Sequence, residues 1–155
     1  MSYPAIELDP IRRLHVLAAA LPGAGVVERV LDAPFDAVWD AATDFESAVP
    51  RIELFIGRAV VVSREGERVE ARVTPPLMPR AMPLHVVLRP GWCWMVSPMM
   101  VAGMAAVPAE ERTRFAHLEA LTMSGGRLLG PLLVAKMRLA RELERIERIA
   151  LERGG

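Results

Sequence analysis

Two titratable residues, His117 and Glu119, fall on one phase of a predicted strand over residues 112–123. The other residues in that phase are apolar, among them Phe115. A histidine beside a carboxylate in apolar surroundings suits proton transfer, and His117 would be the base that removes a proton next to a carbonyl. The pair is therefore a candidate catalytic site. The alternative is structural: this phase faces outward, or the pair anchors the following helix.

The other two histidines are dispersed, and their spacing predicts no metal site. His15 lies among alanines and is expected to pack, whereas His85 is out of phase with Leu84 and Val86 and is expected to face solvent. Cys93 is the only cysteine, which excludes an intrachain disulfide and a cysteine metal cluster. No phosphate loop or dinucleotide fingerprint is present, so no cofactor is expected.

The chain contains nine methionines, most of them in its middle third. Methionine adapts its shape, so these residues suit either the lining of an apolar ligand site or plain core filling. Trp92 and Trp94 share a strand phase and add a large aromatic surface. The predicted ligand-binding residues are the apolar ones expected around a cavity: Met78, Met82, Leu84, Val86, Trp92, Trp94, Met99, Met104, Phe115, Leu133 and Met137.

Length and charge narrow the class of protein. The 155 residues suffice for one core, and 52% of them are apolar. Nineteen basic and nineteen acidic residues cancel, so nucleic acid is not an expected partner. Charged residues interrupt the N-terminus, so no signal peptide is predicted and a cytoplasmic location is expected.

Residues 90–109 carry no charge over a length that spans a bilayer. Two glycines and three prolines interrupt the stretch, which favours two buried strands joined near Ser97 and Pro98. No integral membrane span is therefore expected.

Residues 10–21 predict an amphipathic helix within an N-terminal leader of residues 1–25, ahead of a domain of residues 26–155. The helix packs either on that domain or on a second subunit, and the second arrangement would make the protein a homodimer.

A β-prone run from Val26 leads to a helix that Asp32 is expected to cap, with Pro34 in its first turn. A second short helix is expected from Asp44. Strands follow, with 52–56 and 59–63 as the first two, and residues 75–83 hold four prolines that favour a loop.

A long helix is expected from about Leu128 to Arg153. Glu142 with Arg145, and Glu144 with Arg148, are expected to be surface pairs on it. Together the elements predict an α+β fold, in which a curved antiparallel sheet of about seven strands wraps round this helix. Such a sheet encloses a pocket.

Three segments resemble the START-like (SRPBCC, or helix-grip) superfamily, which includes polyketide cyclases and coenzyme Q-binding proteins. They are residues 31–39 with the pairs Ala33-Pro34 and Val38-Trp39, residues 44–50, and residues 112–119 followed by Gly125-Gly126. Glu111-Arg112 replaces the glycine that many members have. The resemblance covers about residues 26–153 and implies the helix-grip fold.

Fold and residues together suggest the binding or transport of an apolar small molecule, such as a lipid, an isoprenoid or a polyketide-like compound, in an internal cavity. One alternative is a polyketide cyclase or dehydratase that uses His117 and Glu119. Another is a module that docks on a partner through the leader or the charged final helix.

Overall fold

The computed structural model describes residues 8–122 and 136–154. Four helices and seven strands form the described chain. In order they are α1 (Pro10–Ala20), β1 (Gly25–Leu31), α2 (Phe35–Thr43), α3 (Val49–Ile52), β2 (Arg58–Glu65), β3 (Arg68–Thr74), β4 (Met82–Arg89), β5 (Trp92–Val96), β6 (Met100–Ala109), β7 (Arg112–Leu121) and α4 (Lys136–Gly154).

All seven strands belong to one sheet with the order β1-β7-β6-β5-β4-β3-β2, and every neighbouring pair is antiparallel. Strands β1 and β2 follow each other in the chain but lie at opposite edges, so α2 and α3 connect the two edges. The uncharged stretch forms β5 and β6, as expected. Among the described residues, no helix combines the length and apolar character needed to cross a membrane.

Gly91 makes the turn between β4 and β5 possible. Its φ is +74°, and a Cβ at this position would lie 2.6 Å from the carbonyl oxygen of Ala106. A side chain would therefore strain the backbone and collide with β6.

Helix α4 lies against the concave face of the sheet and buries an apolar stripe that includes Leu139, Leu143 and Ile146. The backbone N–H of Asp32 donates to Glu147 Oε2 at 2.7 Å, which ties the β1–α2 junction to α4. The predicted helix-grip arrangement is thus confirmed, while residues 128–135 of the predicted helix lie outside the described chain.

Helix α1 covers the convex face of the same sheet. Ile11 and Leu14 are buried there against Ala105, Ala116 and Leu118 of β6 and β7. Of the two arrangements expected for the leader helix, the structure shows packing on the chain's own sheet.

Three local predictions were wrong. Pro34, not Asp32, precedes α2, and no side chain caps that helix; the Asp32 side chain instead lies 3.8 Å from Arg112. The apolar run 52–56 is not a strand, because Ile52 ends α3 and a loop follows. His15 does not pack but is exposed and hydrogen-bonded to Glu28.

Candidate functional site

The strand register places His117 and Glu119 on the concave face of β7. His117 lies opposite Met104 of β6, and Glu119 lies opposite Ala102. Because paired residues in an antiparallel sheet share a face, both side chains lie beneath α4, and neither has any exposed surface.

Two further carboxylates reach the same point from distant parts of the chain. Glu53 follows α3, and Glu142 lies in the middle of α4. His117 Nε2 is 3.2 Å from Glu53 Oε1 and 3.9 Å from Glu119 Oε1, while His117 Nδ1 is 3.2 Å from Glu142 Oε2. We call these four residues, Glu53, His117, Glu119 and Glu142, the polar cluster.

Arg138 of α4 closes the polar cluster on one side. Its guanidinium forms close ion pairs with Glu119 and Glu142 and lies over the Phe55 ring, 4.8 Å from the ring centroid. The contact with Glu119 joins α4 to β7. Glu119 therefore anchors the final helix, as the structural alternative in the sequence analysis proposed.

Several polar atoms of the cluster make no hydrogen bond, although charged partners are near. Both ring nitrogens of His117 and Oε2 of Glu142 are buried without a hydrogen-bond partner. The 3.2 Å contacts of His117 with Glu53 and Glu142 are short enough for hydrogen bonds. Their angles do not fit hydrogen bonds, so they are close polar contacts only. Such unsatisfied buried groups destabilise a fold and are frequent at functional sites.

Burial raises the pKa of Glu53 well above its usual value of 4.5, and the nearby carboxylates of Glu142 and Glu119 raise it further. Glu53 therefore retains its proton at a pH where an exposed glutamate has lost it. Burial likewise raises the pKa of the Cys93 thiol, so this cysteine is not a reactive thiolate.

An apolar cavity begins at Glu53 and extends between the loop after α3 and strands β3 to β6. Its described lining residues are Glu53, Phe55, Ile56, Val73, Pro75, Met82, Leu84, Met95, Ser97, Met100 and Ala102. Glu53 is the only titratable residue among them. The cavity volume is about 40 Å³, which accommodates about three water molecules.

The predicted ligand-binding residues lie in different parts of the structure. Met82 and Leu84 line the cavity. Val86, Met104 and Phe115 are buried in the concave-face core without lining it. Met99 is half-buried and also outside the lining. Leu133 lies outside the described residues.

The other four predicted residues lie away from this cavity. Trp92 and Trp94 lie on the convex face and pack against the α1 cluster, because a second apolar layer covers that side of the sheet. Met78 and Met137 are exposed, since the proline-rich loop and the start of the described α4 face outward there. His85 is exposed as expected, and its Nδ1 lies 2.5 Å from Glu70 Oε2.

Sequence reasoning missed Glu53 and Glu142. Glu53 falls in a run interpreted as a strand, and Glu142 was expected to pair with Arg145 at the surface. In the structure Arg145 donates to the carbonyl oxygen of Ile52, and Glu142 pairs with Arg138 one turn earlier. Glu144 pairs with Arg29 instead of Arg148. The available signal for Glu142 was its place in the apolar stripe, between Leu139 and Leu143.

Comparison with known proteins identifies the fold. No protein-family model and no curated protein match the sequence. Among solved structures, the protein TTHA0849 from Thermus thermophilus is 20% identical with a TM-score of 0.65, over 85% of this chain and 99% of that one.

Two aromatase/cyclases are also similar. The Zhui aromatase/cyclase from Streptomyces sp. R1128 is 13% identical with a TM-score of 0.65, over 85% of this chain and 95% of that one. The di-domain ARO/CYC BexL is 19% identical with a TM-score of 0.60, over 81% of this chain and 45% of that one. This chain therefore has the helix-grip fold.

Proposed function

We propose that the protein binds an apolar small molecule that carries at least one oxygen able to hydrogen-bond, within the concave-face cavity. The observation that supports this proposal is an apolar cavity with one carboxyl group, that of Glu53, in its wall. Apolar walls with few polar anchors are typical of small-molecule sites. Lipids, isoprenoids and polyketide-like compounds are the candidate classes.

The cavity must widen to hold such a ligand, because its present volume accommodates only a few water molecules. Met82, Met95 and Met100 supply unbranched side chains on three adjacent strands. Methionine changes rotamer at low cost, so these residues can move apart around ligands of different shape.

Glu53 provides the orienting contact. A carboxyl group accepts a hydrogen bond from a hydroxyl and, when protonated, donates one to a carbonyl. Of the two ends of the ligand, the oxygen-bearing end is expected to lie at Glu53 and the apolar end among the methionines.

Thermal melting with a panel of ligands tests this function. The panel contains a fatty acid, a prenylated quinone and a polycyclic phenol, and a bound member should raise the melting temperature. Met82→Trp fills the cavity and should remove that shift. Val87→Trp is the matched control, because Val87 lies on the same strand but is exposed, and it should retain the shift. A shift that persists in Met82→Trp would contradict the proposal.

Glu53→Leu tests the orienting contact. A net hydrogen bond contributes about 0.5–1.5 kcal/mol, so the variant should bind an oxygen-bearing ligand roughly 2- to 12-fold more weakly. Its affinity for the matching hydrocarbon should be unchanged or higher. Equal weakening for both compounds would show that Glu53 makes no specific contact.

A cyclase-type activity is the second candidate, and the contact between His117 and Glu53 favours it. His117 does not line the cavity, so Glu53 would be the group that touches the substrate. His117 and Glu119 would hold the Glu53 side chain in position. A bound polycarbonyl compound should then be converted by the wild type and by the surface variant Glu70→Gln. Glu53→Gln should bind the compound without converting it, as followed by mass spectrometry of the products.

A further inference from the structure

We propose that Glu53, His117 and Glu119 bind a divalent first-row transition-metal ion, with Glu142 as a positioning residue behind His117. This site shares Glu53 with the apolar cavity but differs from it in chemistry, and its test does not depend on the proposed ligand.

The distances within the polar cluster fit a shared metal ion. Two ligand atoms that each lie 2.0–2.2 Å from one ion are about 2.8–4.4 Å apart, according to the angle between them. His117 Nε2 lies 3.2 Å from Glu53 Oε1 and 3.9 Å from Glu119 Oε1, within that range. The ligand atoms of all four cluster residues lie within 4.8 Å of one another.

The unpartnered atoms are a second, independent observation. His117 has no exposed surface, and neither of its ring nitrogens has a hydrogen-bond partner. A metal ion on Nε2 would use that lone pair and leave the proton on Nδ1, 3.2 Å from Glu142 Oε2, where a small rotation of either side chain would form the hydrogen bond. A carboxylate behind a histidine ligand is a common arrangement, since it orients the ring and fixes its tautomer.

The charges also favour a divalent cation. Glu53, Glu119 and Glu142 supply three carboxylates, whereas Arg138 is the one arginine or lysine paired with them among the described residues. Arg138 contacts Glu119 Oε2 and Glu142 Oε1 most closely and reaches Glu119 Oε1 only at 3.5 Å, so one oxygen of each carboxylate still faces His117. Metal binding would displace the proton that Glu53 retains, and the three carboxylates with Arg138 would then carry two negative charges, which a divalent ion would balance.

The set of donors restricts the identity of the ion. One imidazole and two carboxylates suit Zn²⁺, Fe²⁺ or Mn²⁺ better than Ca²⁺ or Mg²⁺, which prefer oxygen ligands alone. Glu53 also lines the cavity, so an ion held there would be next to the space that a ligand occupies.

Cobalt titration of metal-stripped protein tests the site, because Co²⁺ substitutes for these ions and has a visible absorption spectrum. His15 and His85 each lie beside a surface carboxylate and could bind the metal adventitiously, so both are first replaced by alanine. We expect one Co²⁺ per chain in this background. Glu53→Gln should lower the affinity at least about tenfold and change the visible bands.

Two further variants distinguish the roles. Glu142→Gln should weaken binding but keep the bands, because Glu142 acts through His117. Glu144→Gln, on the exposed side of the same helix, should leave both affinity and spectrum unchanged. If Glu53→Gln lowers thermal stability too far for titration, Glu119→Gln takes its place.

Absence of stoichiometric Co²⁺, or equal affinity in the Glu53→Gln variant, would overturn the metal site. Melting shifts of metal-free protein with the apolar panel would still test the proposed function, so the two failures are distinguishable.

Discussion

The two faces of strands β6 and β7 are both buried, yet they differ in kind. On the convex face, Ala116 and Leu118 pack against α1 in a purely apolar cluster. On the concave face, His117 and Glu119 occupy the alternate positions of the same strand. The ring nitrogens of His117 have no hydrogen-bond partner, and an apolar cavity lies nearby.

Packing on the convex face is close where α1 crosses β6. Gly103 lies under α1, and a Cβ there would come within 2.7 Å of Leu14 Cδ1 and 2.9 Å of the Trp94 ring. An interface packed this closely contributes stability and has no room for a ligand between the helix and the sheet. Buried charges on the other face generally cost stability unless they are well compensated, so that face is where function is expected.

Removal of the arginine that pairs with the polar cluster should have the largest effect on stability. Arg138→Met leaves Glu119 and Glu142 buried without their cation, so we expect a loss of about 3–5 kcal/mol in urea denaturation. Arg29→Met is the control, because Arg29 makes an exposed pair with Glu144. That variant should cost less than about 1 kcal/mol. Similar losses in both variants would contradict the difference between the faces.

Truncation on the convex face should weaken the fold without affecting ligand binding. Leu14→Ala opens a cavity beneath α1 and should cost about 3 kcal/mol. Its melting shift with a bound panel ligand should match that of the wild type. Val16→Ala on the same helix is 55% exposed and should cost less than about 0.5 kcal/mol. Loss of ligand binding in Leu14→Ala would mean that the two faces are coupled.

The pH dependence of stability should come partly from Glu53. Its pKa is raised in the folded state, so the folded protein keeps a proton that the unfolded chain releases above its usual value of 4.5. Stability should therefore fall as pH rises from about 4.5 towards the raised pKa, by at most about 1.4 kcal/mol per pH unit.

The Glu53→Gln variant has no titrating group at position 53. Its stability relative to the wild type should therefore increase over the same pH window. Urea denaturation in the presence of a chelator measures this difference. Parallel pH profiles of stability for the two proteins would show that the pKa of Glu53 is not raised in the folded state.

The smallest effect is expected at the edge of the convex face. Arg13 lies over the Trp92 ring, 5.1 Å from its centroid. An exposed cation–π contact contributes about 0.5–1 kcal/mol, and Arg13→Ala should reduce stability by that amount in urea denaturation. Arg13→Lys should restore part of it. No recovery would indicate that packing of the arginine stem, not its charge, is what matters.

Most strands, and the placement of His117 and Glu119 on one face of β7, were predictable from the sequence, because both depend on local alternation with a period of two. Which face the tryptophans occupy was not predictable. On β5 the two tryptophans alternate with Cys93 and Met95, and both sets are apolar and at least partly buried, so alternation there does not separate an inner from an outer face.

Glu53 and Glu142 were not predictable for a different reason. They meet His117 only through the packing of α3 and α4 on the sheet, and no spacing in the sequence encodes that contact. A charged residue within the apolar stripe of a helix, as Glu142 is, should be treated as a buried candidate.

Methyl NMR of the protein labelled with ¹³C at its methionine methyl groups tests the location of ligand binding most directly. Met82, Met95 and Met100 line the cavity, whereas Met78 and Met137 are exposed and serve as internal references. On titration with a panel ligand that raises the melting temperature, we predict shifts at the three cavity methionines and none at the two references. Shifts confined to the references, or unchanged cavity methyl groups, would contradict binding on the concave face.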